Sequence, residues 1–212
     1  MGGVIAYAWP HQSENMDLKE FSKELRLSAL KMAYDCGKNG SHIGPGLSAI
    51  EIMASLYGDV LRYDVKNPED ENRDRLVVSK GHCVLAYYSV LNKVGFLTDE
   101  DIASFETNGS HFHGHAMRNL ENGIEFSGGS LSMGMTFAVG LAMSCKRKGL
   151  QSRVFALVGD GECDEGLIWE ADLSMVRLKR LFGVPPSQWQ RNWAPRVSVP
   201  TALPLVLPRP IC

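Results

Sequence analysis

The stretch Val154-Phe155-Ala156-Leu157-Val158-Gly159-Asp160-Gly161-Glu162 decides the fold. A short apolar run that stops abruptly at turn residues predicts a buried strand of a parallel sheet. In open α/β sheets, ligands bind outside the carboxyl ends of the strands. Asp160 therefore stands where a carboxylate would hold Mg²⁺ or another hard divalent cation. Gly159 and Gly161 would let the backbone come close to a diphosphate. Read alone, Gly-Asp-Gly also fits an ordinary turn after a strand.

Working outward, Leu76-Val77-Val78 reads as a second buried strand, and amphipathic segments alternate with the two. Leu18, Phe21, Leu25, Ala29 and Met32 recur at helical steps behind Asp17, a plausible cap, and this helix ends near Gly37. Gly40 to Gly46 reads as a glycine-marked turn, followed by a helix from near Ser48 that buries Ile50, Met53, Ala54, Tyr57 and Leu61. A loop spans Asn67 to Arg75, and a third helix runs from about His82 to Val94. Thr98 and Asp101 form a capping-box pattern before a short helix with Ile102 and Phe105. Met133 to Lys148 reads as a helix with Phe137, Leu141 and Cys145 on one face, and with Met133 and Met135 in packing roles. Alternating strands and helices predict an α/β fold, a parallel sheet flanked by helices.

The division expected is a leader over residues 1–16, an α/β domain over 17–171, and a tail over 172–212. Met16 would serve as an alternative start. Seven of the ten prolines fall from Pro185 onward, with no helical or strand period, so the tail reads as disordered or non-native and the domain as incomplete at its C-terminus. The net charge of −2 gives no electrostatic case for nucleic acid. No apolar run has the roughly 18 residues a membrane span needs. The five scattered cysteines argue for reduced thiols in a cytoplasmic protein. His111, His113 and His115 alternate, so an extended segment would put them on one face, where they would suit a transition metal.

Longer motifs sharpen this reading. Gly159-Asp160-Gly161-Glu162-x-x-Glu165-Gly166-x-x-Trp169-Glu170-Ala171 closely resembles the thiamine-diphosphate motif of transketolases. Three more blocks follow the same family in order. They are Ser41-His42-Ile43-Gly44; Asn72 to His82, containing Arg73-Asp74-Arg75 and Ser79-Lys80-Gly81-His82; and Gly114-His115 with Gly129-Ser130-Leu131-Ser132-Met133-Gly134. The sequence departs from the family at Ile43 and Ala116, where proline is usual, and at Ser132-Met133, where Gly-Gln is usual.

The resemblance implies a thiamine-diphosphate-binding fold, the diphosphate domain of a transketolase, and transfer of a two-carbon ketol unit between sugar phosphates. It implies that Asp160 ligates Mg²⁺, and that Gly159, Gly161 and Glu162 shape the diphosphate pocket, with Glu162 near a subunit contact. Gly129 would offer backbone to the aminopyrimidine, and Leu131 would pack beneath the cofactor. His42, His82 and His115 would ring the reacting end, with His82 also touching the cofactor; imidazoles suit hydrogen bonding to sugar hydroxyls and proton movement near neutral pH. A second metal ligand is expected near Asn192, but no β-branched run precedes it and the role is not carried over. A pyrimidine-binding, C-terminal subunit or domain would complete the site in a homo- or hetero-oligomer. The alternatives are an inactive fragment that binds or dimerises, and a component of another thiamine-diphosphate enzyme.

Overall fold

Asp17 caps the first helix with its carboxylate, accepting from Lys19 N at 2.9 Å and Glu20 N at 3.4 Å. This computed structural model describes residues 16–181. Helix α1 (Leu18–Asp35) buries Phe21, Leu25, Ala29 and Met32, the stripe its sequence period demands. It packs on α3 (Ile50–Ser55) and α4 (Val84–Val94). Among these helices and the first strand, Leu25, Met32, Ile50, Met53, Leu85, Tyr87, Tyr88 and Leu91 are almost wholly buried. Each such side chain contributes about 1.5–3 kcal/mol of transfer free energy.

Several boundaries differ from the sequence expectation. The predicted turn after α1 contains a 3₁₀ turn, Gly37–Asn39, and a short helix, α2 (Ile43–Leu47). The next helix starts at Ile50 rather than near Ser48, and its last turn widens into a π-turn over Leu56–Val60, closed by Leu61 N to Leu56 O at 2.7 Å. The segment at His82 begins as a 3₁₀ turn, Gly81–Cys83, before α4 proper. Thr98 and Asp101 do form a reciprocal capping box on α5 (Asp99–Ala103). Phe105 lies beyond that helix, yet is buried.

Strands β1 (Arg75–Val78) and β2 (Val154–Leu157) pair in parallel, with Arg75 opposite Val154 and Val78 opposite Leu157. β1 is buried throughout. β2 is not the deeply buried strand its sequence predicts: Ala156 is exposed and its neighbours only half-buried. Among the described residues it has a strand along one edge only.

Helix α6 (Met133–Lys148) packs on both strands. Its buried stripe is Gly134, Ala138, Val139 and Cys145, whereas Phe137 is 36% and Met133 48% exposed. The cause is Gly134. A Cβ there would lie 2.6 Å from Ser79 Cα, so α6 meets the end of β1 through its glycine, and Phe137 rotates out to lie beside Phe126.

The Arg73-Asp74-Arg75 block turns out to be a brace at the entry to β1. The Asp74 carboxylate, fully buried, accepts from the backbone and guanidinium of both Arg62 and Arg153. Arg73 and Arg75 both reach the buried Glu125 carboxylate, at 2.5 and 3.1 Å. Burial alone would raise the Asp74 pKa, but these hydrogen bonds hold it below the usual carboxylate value.

The chain divides into two units, Met1–Ala171 and Asp172–Cys212. Helix α7 (Gly166–Leu181) begins in the first and continues into the second, of which only its residues are described. The proline-rich region and Asn192 lie outside the described residues.

Candidate functional site

The carboxyl ends of β1 and β2 open on the same edge of the sheet, because the strands are parallel and in register. Each strand runs at once into a glycine-bearing turn: Ser79-Lys80-Gly81-His82 after β1, and Gly159-Asp160-Gly161 after β2. Ser79 N and Lys80 N both donate to Leu157 O, at 2.9 and 3.0 Å, which ties the two turns side by side.

Three segments converge beside the β1 turn. His82 leads into α4, His42 immediately precedes α2, and His115 sits in the loop between α5 and α6. Their ring centroids are 4.5 Å apart for His42 and His82, 5.1 Å for His82 and His115, and 5.8 Å for His42 and His115. The sequence-predicted trio thus forms one cluster, with His42 exposed and the other two half-buried.

The loop carrying Gly129 closes the cluster from below. A Cβ on Gly81 would stand 2.8 Å from Gly129 N, and one on Gly129 would stand 2.8 Å from His115 Cδ2. Gly129 also has a φ of 131°, a conformation that only glycine adopts freely. Leu131 is exposed nearby in sequence, at 46%.

His115 Nδ1–H donates to Gly114 O at 2.8 Å. Burial, then the neighbouring imidazoles of His82 and His42, hold its pKa below the ordinary histidine value, while the Glu106 carboxylate pulls the other way. The lowered value favours the neutral form of the His115 ring. His111 and His113 are exposed and stay out of this cluster. Among the described residues, no group of three or more His, Cys, Asp or Glu side chains is arranged to hold a metal.

Asp160 is exposed at the end of β2, and its side chain does not cap the 3₁₀ turn Gly161–Asp164 that it begins. A Cβ on Gly161 would meet nothing within 4 Å, so the backbone is open there. Glu162 behaves differently. It is 3% exposed, and its carboxylate accepts from Ser79 Oγ, from Ser132 N at 2.6 Å, and from Gly159 N at 3.0 Å. Its side chain holds the turn from within the chain. Ser132 takes a left-handed φ of 67°, where the motif usually has glycine. The bond to Glu162 offsets part of that strain.

Glu106 organises this region without any signal in the sequence that marks it, and Ser79 and Lys80 do so from within a family block that gave them no role of their own. Lys80 is half-buried and donates to Ser48 Oγ at 2.9 Å, linking the β1 turn to the end of α2. Cys83 is buried, and burial raises its thiol pKa to about 12, which makes it an inert packing residue. No helix of the described residues is long and apolar enough to cross a membrane.

The family model described as transketolase, thiamine diphosphate binding domain, matches residues 19–183. The chain is 36% identical over 140 residues to an apulose-4-phosphate transketolase subunit of Actinobacillus succinogenes, covering 66% of this chain and 51% of that one. A 6-deoxy-6-sulfo-D-fructose transketolase subunit of a Clostridium species is 35% identical over 159 residues, with 74% and 57% covered. Human transketolase is 34% identical over 167 residues, with 78% and 26% covered. The fold superposes on transketolase from Leishmania mexicana with a TM-score of 0.66 at 28% identity, covering 74% of this chain and 25% of that one. The chain therefore spans about half the length of the subunit relatives and about a quarter of the whole transketolases.

Proposed function

The chain belongs to the transketolase family through its thiamine diphosphate-binding domain, and from that premise we propose that it is the diphosphate-binding half of an enzyme transferring a two-carbon ketol unit between sugar phosphates. The observation that carries this reading is the packing of His42, His82 and His115 within 5.8 Å of one another, beside paired glycine turns at the carboxyl ends of two parallel strands.

The residues present fit the cofactor. Asp160 offers an exposed carboxylate at the strand mouth, and the backbone at Gly161 is open to a diphosphate. Asp160 would be one ligand of Mg²⁺, a hard cation that takes oxygen ligands. Gly159 would frame the same turn, and Glu162 would fix it from behind. Gly129 would offer backbone to the aminopyrimidine, and Leu131 would pack beneath the cofactor. Bound thiamine diphosphate supplies the electron sink that makes cleavage of a carbon–carbon bond next to a carbonyl accessible.

The protein's own contribution would be orientation and proton handling. Neutral His115, with its Nδ1–H held by Gly114 O, would accept at Nε2 from a ketose hydroxyl, while His42 and His82 would hydrogen-bond the other oxygens, and the cluster would move protons between oxygen atoms. The lowered His115 pKa favours a neutral ring near pH 7, as a base requires.

The relatives named as subunits support a site completed by a second chain that binds the pyrimidine. Those relatives are named for phosphorylated and sulfonated sugars, which supports an acceptor or donor bearing a terminal anion. A cytoplasmic setting suits the free thiols Cys36, Cys83, Cys145 and Cys163.

Titration calorimetry with thiamine diphosphate and Mg²⁺ tests the cofactor claim. Saturable binding is expected from the chain and should be lost in Asp160→Ala. Binding indifferent to that substitution would refute the assignment. Ketol transfer on mixing with a pyrimidine-binding transketolase partner then separates an enzyme half from a module that only binds.

A further inference from the structure

Glu106 lies outside every motif that led to the site. It is one of two non-glycine residues among those described with positive φ, at 56°, and carries no short polar side chain to ease that conformation. Its position explains why the strain is tolerated. The backbone N–H of Glu106 donates to Phe112 O at 2.9 Å, closing the loop from 106 to 112. Its side-chain Oε1 accepts from Gly114 N, next to His115. Its carbonyl accepts from Asn39 Nδ2 at 2.7 Å, three residues before His42. One residue therefore bonds to the supports of two histidines that are 73 positions apart in sequence, counted from 42 to 115.

We propose that Glu106 is a positioning residue for the imidazole cluster, holding the Gly114–His115 turn with its carboxylate and the Asn39–His42 turn with its carbonyl. The left-handed backbone makes both bonds possible at once, because it turns the side chain and the carbonyl towards different loops. Gly114 fits the same arrangement: a Cβ there would stand 2.8 Å from Glu106 Oε1. The third histidine is held from the other side. Tyr88 of α4, the helix that His82 leads into, donates to His113 O at 3.2 Å and packs edge-on against Phe112 and Phe105. The value of this placement for catalysis rests on the proposed function; the placement itself does not.

The test is histidine ring NMR on the 212-residue chain, following the His42, His82 and His115 signals against pH, with melting measured alongside. His115 is faced by His42, His82 and Glu106. Glu106→Gln keeps an acceptor for Gly114 N but removes the charge. Ring contacts among the three histidines should persist, and the His115 midpoint should fall. Glu106→Gly relieves the backbone strain but removes the side-chain bond. Its melting temperature should hold or rise while contacts between the His42 and His115 rings weaken or vanish. That divergence is the signature of positioning, since a residue serving stability alone would move both together. Unchanged ring contacts in Glu106→Gly, or an unmoved His115 midpoint in Glu106→Gln, would overturn the proposal. Neither readout depends on cofactor or substrate, so failure of the proposed activity would leave this result standing.

Discussion

Ser132 N donates to Glu162 Oε1 at 2.6 Å, so the turn after β2 is fastened to the first residue before α6. The same carboxylate holds Ser79 at the end of β1. The two strand ends and the loop from Gly129 to Ser132 are thereby one rigid corner, with Asp160 on its outer side.

Glu162→Ala should accordingly destabilise the chain by roughly 3 kcal/mol, because it leaves buried donors on Ser79, Ser132 and Gly159 without their acceptor. Ser132 would also lose the bond that offsets its left-handed φ. Urea unfolding of the variant reads this directly. A loss below about 1 kcal/mol would mean that water replaces the carboxylate, and the corner is not rigid.

Asp74 predicts how the fold responds to acid. Its folded pKa is depressed by hydrogen bonds from Arg62 and Arg153 despite the opposing effect of burial. A depressed carboxylate contributes stability that is fully present above its unfolded pKa of about 3.9, and that is lost as pH falls through the folded value. Unfolding free energy should therefore drop steeply below about pH 4. Asp74→Asn should flatten that drop and cost roughly 1–3 kcal/mol at pH 7, since the amide replaces only part of the acceptance that Arg62 and Arg153 now have. An unchanged acid profile in the variant would assign the drop to other carboxylates.

His115 gives the opposite sense of ionisation and the same direction with pH. Its folded pKa lies below the ordinary value, so the folded chain binds fewer protons than the unfolded one between the folded pKa and about 6.5. Stability should rise with pH across that window. Burial is the leading cause and the other imidazoles come next, so His82→Gln should raise the His115 midpoint as followed by NMR. A midpoint that stays fixed would remove His82 from the causes and leave burial and His42.

How much of this was legible in sequence depends on how local each feature is. The α1 stripe, the Thr98–Asp101 box and the run from Val154 into Gly159 follow from residues within one element, and the structure contains all three. The depth of β2 was not legible, because burial depends on neighbouring strands rather than on the strand's own letters. The orientation of α6 was hidden for a similar reason, since it turns on Gly134 meeting Ser79 from far along the chain. Asp74 and Arg153 are 79 residues apart, and no periodicity links them. The histidine cluster came from the resemblance of ordered blocks, not from spacing. Glu106 belongs to no block, and its left-handed φ is a property of the closed loop alone.

Gly81→Ala offers the sharpest check on the corner beneath the cluster. Gly81 has no positive φ, so alanine meets no backbone penalty there and only space decides the outcome. The new Cβ would lie 2.8 Å from Gly129 N and 3.1 Å from its Cα, both backbone atoms that cannot swing aside. Overpacking of this kind costs about 1–3 kcal/mol and is relieved by moving one segment. Whichever segment shifts takes a histidine's support with it, because His82 follows Gly81 and a Cβ position at Gly129 stands 2.8 Å from His115 Cδ2. The variant should therefore melt lower and also lose ring contact between His82 and His115, whose centroids stand 5.1 Å apart. Gly161→Ala serves as the control, since its Cβ meets nothing within 4 Å and its stability should change by less than about 0.5 kcal/mol. Equal melting of the two variants, with the imidazole contacts intact in both, would show that the glycine turns do not set the spacing of the cluster.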